Sequence, residues 1–135
     1  LFANLARLSA AGVPVITVQH GSGTAGGAYM PGLSDVVVMV RKRSRAFLAG
    51  PPLLKAATGE IATEEDLGGA EMHTSVSGLG EYLAEDDRHA LGLAKEVVAS
   101  MKYTSVAIKN IVNIHSIRKF KALTGAQSGL YCCQY

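Results

Sequence analysis

Apolar positions along the first hundred residues fall into two rhythms. Within residues 1–12, Leu5 and Leu8 with the alanines around them recur at helical spacing, and Gly12 followed by Pro14 stops the run. Residues 14–19 (PVITVQ) are apolar and β-branched without polar alternation, which predicts a short strand buried on both faces. A glycine-rich stretch comes next, with a short helix predicted at about 25–33. Asp35 then introduces VVVMV at 36–40, a second buried strand, and AFLA at 46–49 reads as a third.

Beyond Gly50 the pattern turns helical. The second proline of Gly50-Pro51-Pro52 opens a helix through LLKAA at 53–57, which Gly59 ends. Thr63 and Asp66 have the spacing of a capping box for a short helix that stops at Gly68-Gly69. Asp86 or Asp87 caps the best helix of the chain, whose apolar stripe is Ala90, Leu91, Ala94, Val97, Val98 and Met101. Buried strands alternating with helices predict an α/β domain with helices packed outside a mostly parallel sheet.

The 135 residues suffice for one packed domain, since 48% are hydrophobic and 18% charged. No apolar run reaches the length of about 20 residues that spans a bilayer, and no membrane association is expected. Cys132 and Cys133 are the only cysteines, adjacent at the end, so they cannot staple distant segments, and no metal-ligand spacing is present. A reducing compartment is expected, the cytoplasm or the mitochondrial matrix in a eukaryote.

Charge divides the chain. All 11 acidic residues precede position 100, alongside eight basic ones; from Met101 onward there are five Lys or Arg and no acid. We therefore expect a domain over 1–100 and a basic tail over 101–135. In the tail Ile108, Ile111, Ile114, Ile117, Phe120 and Leu123 repeat every three residues, a period that drifts around a helix and sustains no stripe. The tail reads as an aberrant or out-of-frame end. The chain starts at Leu1 in mid-pattern, as a piece of something longer would.

Five glycines fall within GSGTAGGAYMPGLSD at 21–35, and Gly21-x-Gly23-x-x-Gly26 matches the dinucleotide fingerprint. That fingerprint needs a full helix after the loop and an acid at the end of the return strand. Here Pro31 and Gly32 interrupt the helix, and Arg41, Lys42 and Arg43 stand where the acid belongs, leaving only a weak NADP option. No phosphate-loop Gly-Lys-Ser/Thr follows. What remains is bare backbone at a helix start, where Gly26 and Gly27 offer N–H groups that no β-carbon shields. Such donors suit a thioester oxygen that becomes an enolate, each contributing roughly 3 kcal/mol to an oxyanion hole. Tight strand–helix packing would equally call for glycine, and spacing alone leaves the two readings level.

GSGTAGGAYMPGLSD, followed by FLAGPPLLKAATGE, DLGGAEMH and SGLGEYLAEDD, closely resembles the carboxyltransferase (β) subunit of biotin-dependent acyl-CoA carboxylases over about residues 1–100. GPPLLKAATGE is similar to the branch acting on 3-methylcrotonyl-CoA and geranyl-CoA, and EYLAEDD leans towards the geranyl-CoA type. The resemblance implies a partial crotonase/ClpP-like domain of ββα units. It implies backbone N–H groups of Gly26 and Gly27 on the thioester oxygen, with Thr24, Ala25, Ala28 and Tyr29 contacting substrate. It also implies biotin on a partner biotin carboxylase/carrier (α) subunit, further β subunits in a hetero-oligomer, and no metal in this chain. Carried over, the fragment is expected to be inactive alone. The sister readings are a hydratase or isomerase of the crotonase superfamily, and a fragment that binds acyl-CoA without turnover.

Other candidates are blander. Ser22 and Thr24 flank the loop behind His20, yet the surroundings lack the nucleophile elbow and loop hydroxyls commonly satisfy backbone. Arg41, Lys42, Arg43 and Arg45 make a basic cluster that is either a solvated face or a contact for CoA phosphates; without interleaved aromatics it does not suggest nucleic acid. His73 reads as a structural hydrogen-bonding residue, and Lys55 as a surface lysine.

Overall fold

The computed structural model describes residues 1–101 and a strand at 130–133. In chain order the elements are α1 (Phe2–Ala10), β1 (Ile16–Gln19), β2 (Ser22–Thr24), a 3-10 turn (Ala25–Ala28), α2 (Tyr29–Gly32), β3 (Val36–Val40) and β4 (Arg45–Phe47). There follow α3 (Pro51–Thr58), α4 (Glu64–Gly68), α5 (Ala70–Met72), a wide turn (His73–Ser77), β5 (Tyr82–Ala84), α6 (Asp87–Ser100) and β6 (Leu130–Cys133). The main sheet has the order β5-β3-β1-β6 with every neighbour parallel, and β2 pairs with β4, also in parallel, as a separate small sheet. The predicted α/β class with parallel strands is therefore observed.

β1 is buried throughout and β3 from Val37 to Val40, as their apolar runs require. Ile16 and Val18 of β1 and Val38 and Val40 of β3 face α6, where Ala90, Ala94 and Val97 close the layer. The opposite face of β3 sets Val37 and Met39 against Ala46 and Ala70. A third cluster joins Leu5 and Leu8 of α1 to Val13, Val15 and Met30. Each fully buried valine contributes roughly 1.5–3 kcal/mol relative to exposure.

Carboxylates set where β3 and β5 begin. Asp35 accepts the Val15 N–H at 2.7 Å and returns its own N–H to the Val15 carbonyl at 2.8 Å. Glu81 clamps Val37 in the same way, accepting at 2.6 Å and donating at 3.0 Å. The helix ends follow local chemistry. Gly59 closes α3 in the left-handed region at φ 78, both capping-box bonds between Thr63 and Asp66 form, and Asp86 caps α6 by accepting the His89 N–H at 2.7 Å.

Some expectations change. The segment at 46–49 is not a fully buried strand: β4 spans Arg45–Phe47, buries only Ala46 and leaves Leu48 62% exposed, because its partner is the short β2. The helix expected at 25–33 divides into a 3-10 turn and one turn of α-helix. In α6, Leu91 is 39% exposed, since Ala90, Ala94 and Val97 define the buried face and the next residue points about 100° away. The strands β2 and β5 were not anticipated. The apolar period of the tail at 108–123 lies outside the described residues.

Gly68 fixes how closely α4 approaches β4. A β-carbon there would overlap the Ala46 carbonyl and lie 2.7 Å from the Phe47 ring. Gly68→Ala is expected to cost about 1–3 kcal/mol in chemical denaturation; an unchanged midpoint would show that α4 moves freely.

Candidate functional site

The glycine loop leaves the C-terminal end of β1 and runs through β2 into the 3-10 turn. Thr24 is extended and makes no side-chain cap bond, and Ala25 then sits in the left-handed region at φ 50. A left-handed alanine costs about 1–2 kcal/mol. It turns the chain abruptly, so that the amides after it start a helix instead of continuing the strand. A left-handed residue ahead of helical ones is the arrangement in which successive N–H groups converge on an anion.

Helix geometry determines which amides are free. A 3-10 turn bonds each N–H to the carbonyl three residues back, so the first two amides of Ala25–Ala28 have no internal partner. The Gly26 N–H is thus free, whereas that of Gly27 has the Thr24 carbonyl within reach. Among the described residues, neither glycine donates to an acceptor outside the turn. Gly26 is exposed and Gly27 half-buried.

Among the described residues, nothing requires glycine at those two positions. Neither has a positive φ. A β-carbon on Gly27 would meet nothing within 4 Å, and one on Gly26 only the tip of the Phe2 ring at 4.0 Å. Gly23 differs: a β-carbon there would lie 3.0 Å from Gln19 Nε2 and 3.2 Å from the Gly27 carbonyl oxygen. Packing therefore accounts for Gly23 and leaves Gly26 and Gly27 facing open space.

The remaining expected contacts are spread out. Thr24 and Ala25 are exposed beside the pair, while Ala28 is buried and offers only backbone. Tyr29 is 49% exposed and stands against Phe2, with ring centroids 5.4 Å apart. Ser22 is exposed, and among the described residues its hydroxyl has no hydrogen bond to His20, whose Nδ1 is turned to Asp87. Buried His73 uses both ring nitrogens structurally, reaching the Ala46 carbonyl and Ser77 Oγ at 2.6 Å each.

The basic cluster is largely neutralised by the chain's own acids. Arg41 pairs with Glu71 and Glu85, Arg43 with Asp87, and Arg45 lies 3.4 Å from both Glu64 and Glu65. Of the four, only Lys42 has no acidic partner among the described residues, and it sits at φ 58 in the turn after β3. This pairing argues against a phosphate clamp and against the NADP option, which the absence of a full helix between the loop and β3 had already weakened.

Sequence reasoning missed one constellation. His20, at the start of the loop, donates from Nδ1 to Asp87 Oδ1 at 2.8 Å, and Arg43 donates to the other oxygen at 2.7 Å. The only signal was the doubled acid: Asp86 caps the helix, which frees Asp87 for a distant partner. The hydrogen bond from His20, with help from the Arg43 charge, holds the Asp87 carboxyl below its usual range against a smaller desolvation effect. A depressed carboxyl stabilises the fold above its unfolded pKa and loses that contribution as pH falls through its folded value. Asp87→Asn should therefore melt below the parent at pH 7, with the gap between the two Tm values narrowing as pH falls below the ordinary carboxyl value of about 3.9. A gap that is constant across this range would rule out the linkage.

The family whose model matches is the carboxyl transferase domain, over residues 1–121. A protein named "Probable biotin-dependent acyl-coenzyme A carboxylase beta2 subunit" from Mycobacterium tuberculosis is 53% identical over 103 residues, covering 76% of this chain and 20% of that protein. The "Probable methylcrotonoyl-CoA carboxylase beta chain, mitochondrial" of Drosophila melanogaster is 47% identical over 116 residues, 86% of this chain and 20% of its own. Among solved structures, the P. aeruginosa geranyl-CoA carboxylase beta subunit superimposes with a TM-score of 0.68 at 58% identity, covering 74% of this chain and 18% of that one. The chain thus spans about a fifth of the length of these relatives. It belongs to the carboxyl transferase domain family and carries an α/β segment of that family's crotonase-like fold.

Proposed function

We propose that this chain is the acyl-CoA half of a carboxyltransferase site, in a biotin-dependent carboxylase acting on a branched enoyl-CoA such as geranyl-CoA or 3-methylcrotonyl-CoA. The observation that carries the reading is the pair Gly26-Gly27, glycines that neither backbone conformation nor packing demands, at the start of a helical turn. Bare backbone beside open space has a use when a ligand oxygen approaches from that side.

In this reading the thioester oxygen accepts the free Gly26 N–H and a second, shared bond from Gly27, whose hydrogen is divided with the Thr24 carbonyl. Both bonds strengthen as a γ-proton leaves and the oxygen gains enolate charge, so they act on the transition state more than on the substrate. Biotin carried by a partner would supply the carboxyl group and the base for the γ-proton. The hollow beside Gly27, about 10 Å³, is far too small for a ureido ring. The biotin-carrying α subunit and further β subunits complete the site, in the cytoplasm or, in a eukaryote, the mitochondrial matrix.

The hydratase or isomerase reading needs a carboxylate base over the thioester. No acid lines the hollow at the loop, and Asp87, which reaches His20 just before the loop, is occupied by His20 and Arg43. Carboxyl transfer asks only for positioning and oxyanion donors from this chain, which is what the loop offers.

A chimera tests the proposal: residues 1–101 replace the matching segment of the P. aeruginosa geranyl-CoA carboxylase beta subunit. The chimera should carboxylate geranyl-CoA or 3-methylcrotonyl-CoA, and Gly27→Val should lower kcat about 100-fold. A β-carbon at Gly27 meets nothing within 4 Å among the described residues, so folding should persist. Parent rates from the Gly27→Val chimera would refute the role of the pair.

A further inference from the structure

We infer that Gln19 positions the glycine loop, and does so together with one buried water molecule held between its side chain and that of Thr17. Gln19 is only 4% exposed. Its Nε2 donates to the Gly21 carbonyl at 3.1 Å and the Arg45 carbonyl at 2.6 Å. Both partners are pure acceptors, so the amide orientation is fixed and Oε1 points the other way. That Oε1 is buried and has no hydrogen-bond partner among the described residues.

The hollow beside Gln19 explains the orphan. It is lined by Thr17, Ser22 and Gly27 among others, and its volume of about 10 Å³ is close to the minimum for one water. Its hydrogen-bond requirement follows from the neighbours. Ser34 Oγ donates to the Met30 carbonyl at 2.8 Å, so in the 2.6 Å contact between Thr17 and Ser34 the hydrogen comes from Thr17. Thr17 Oγ1 therefore keeps an acceptor lone pair. Gln19 and Thr17 both line this hollow, which has room for a single small molecule, and only a two-hydrogen donor between Gln19 Oε1 and Thr17 Oγ1 satisfies both acceptors. Water does. A thioester oxygen, which only accepts, does not, so substrate belongs on the open side of the loop.

The consequence is mechanical. Through Nε2, Gln19 joins β1 to the first residue of the loop and to β4, and through the water it supports the wall that contains Gly27. Gly23 permits this approach, because a β-carbon there would press on Nε2 at 3.0 Å. This part of the inference rests on the proposed carboxyl transfer: Gln19 does not touch substrate but fixes where the Gly26 and Gly27 donors point.

Two measurements separate the parts. In a high-resolution crystal structure of the 135-residue chain, an ordered water should lie within hydrogen-bond distance of both Gln19 Oε1 and Thr17 Oγ1. An empty hollow, or one filled by a side chain, overturns the inference whatever the protein's activity. In the active chimera, Gln19→Met should lower kcat about tenfold or more while KM for the acyl-CoA stays within about twofold, as expected for misaimed donors. Should that variant not fold, Gln19→Glu, which keeps the shape and loses the paired N–H donors, should give the same split. An unchanged kcat, or a rise in KM alone, overturns the positioning role. A parent chimera that fails to carboxylate counts against the proposed function and leaves the water test standing.

Discussion

Burial of β1 on both faces is the constraint from which the rest follows. Ile16 and Val18 face α6 as hydrocarbon, while Thr17 and Gln19, equally buried, face the glycine loop as hydrogen-bonding groups. The first pair anchors the strand, and the second gives its other face directional contacts. A polar group buried without a partner costs about 1–3 kcal/mol, so the Thr17 and Gln19 side chains strongly favour one loop conformation. The loop is bare at Gly26 and Gly27 because everything that holds it acts from underneath.

Electrostatics around the loop follow the same economy. Three arginines after β3 would make the region strongly basic, yet Glu64, Glu65, Glu71, Glu85 and Asp87 meet them from three later segments. The carboxylate ends of the pairs are exposed, so each adds little to stability. Their effect is geometric: they hold α4, α5 and the start of α6 around the β3–β4 turn. The site's polarity then rests on backbone dipoles, which suits a reaction whose charge appears on an oxygen and is gone again in the product.

Local signals in the sequence were read well, and distant partnerships poorly. The β-branched runs at β1 and β3, the proline start and Gly59 end of α3, the Thr63 capping box and the Asp86 cap all depend on residues within a few positions of one another. The β2–β4 sheet has three residues per strand, too few for a period, and its pairing spans more than twenty residues. The His20–Asp87 contact bridges 67 positions. The left-handed Ala25 was illegible for another reason: alanine favours helix, and only the surrounding structure forces it out. Glycine spacing showed where bare backbone lies, but not that a 3-10 turn sets the Thr24 carbonyl within reach of the Gly27 N–H.

The central claim is that the Gly26 amide, with Gly27 behind it, receives the carbonyl oxygen of an acyl thioester. A crystal structure of the chimeric subunit with 3-methylcrotonyl-CoA bound tests it most directly. The account predicts the thioester oxygen about 2.7–3.1 Å from the Gly26 nitrogen, on the side of the loop away from Gln19. A bound thioester whose oxygen is held by other groups, with the Gly26 N–H facing solvent, would contradict it.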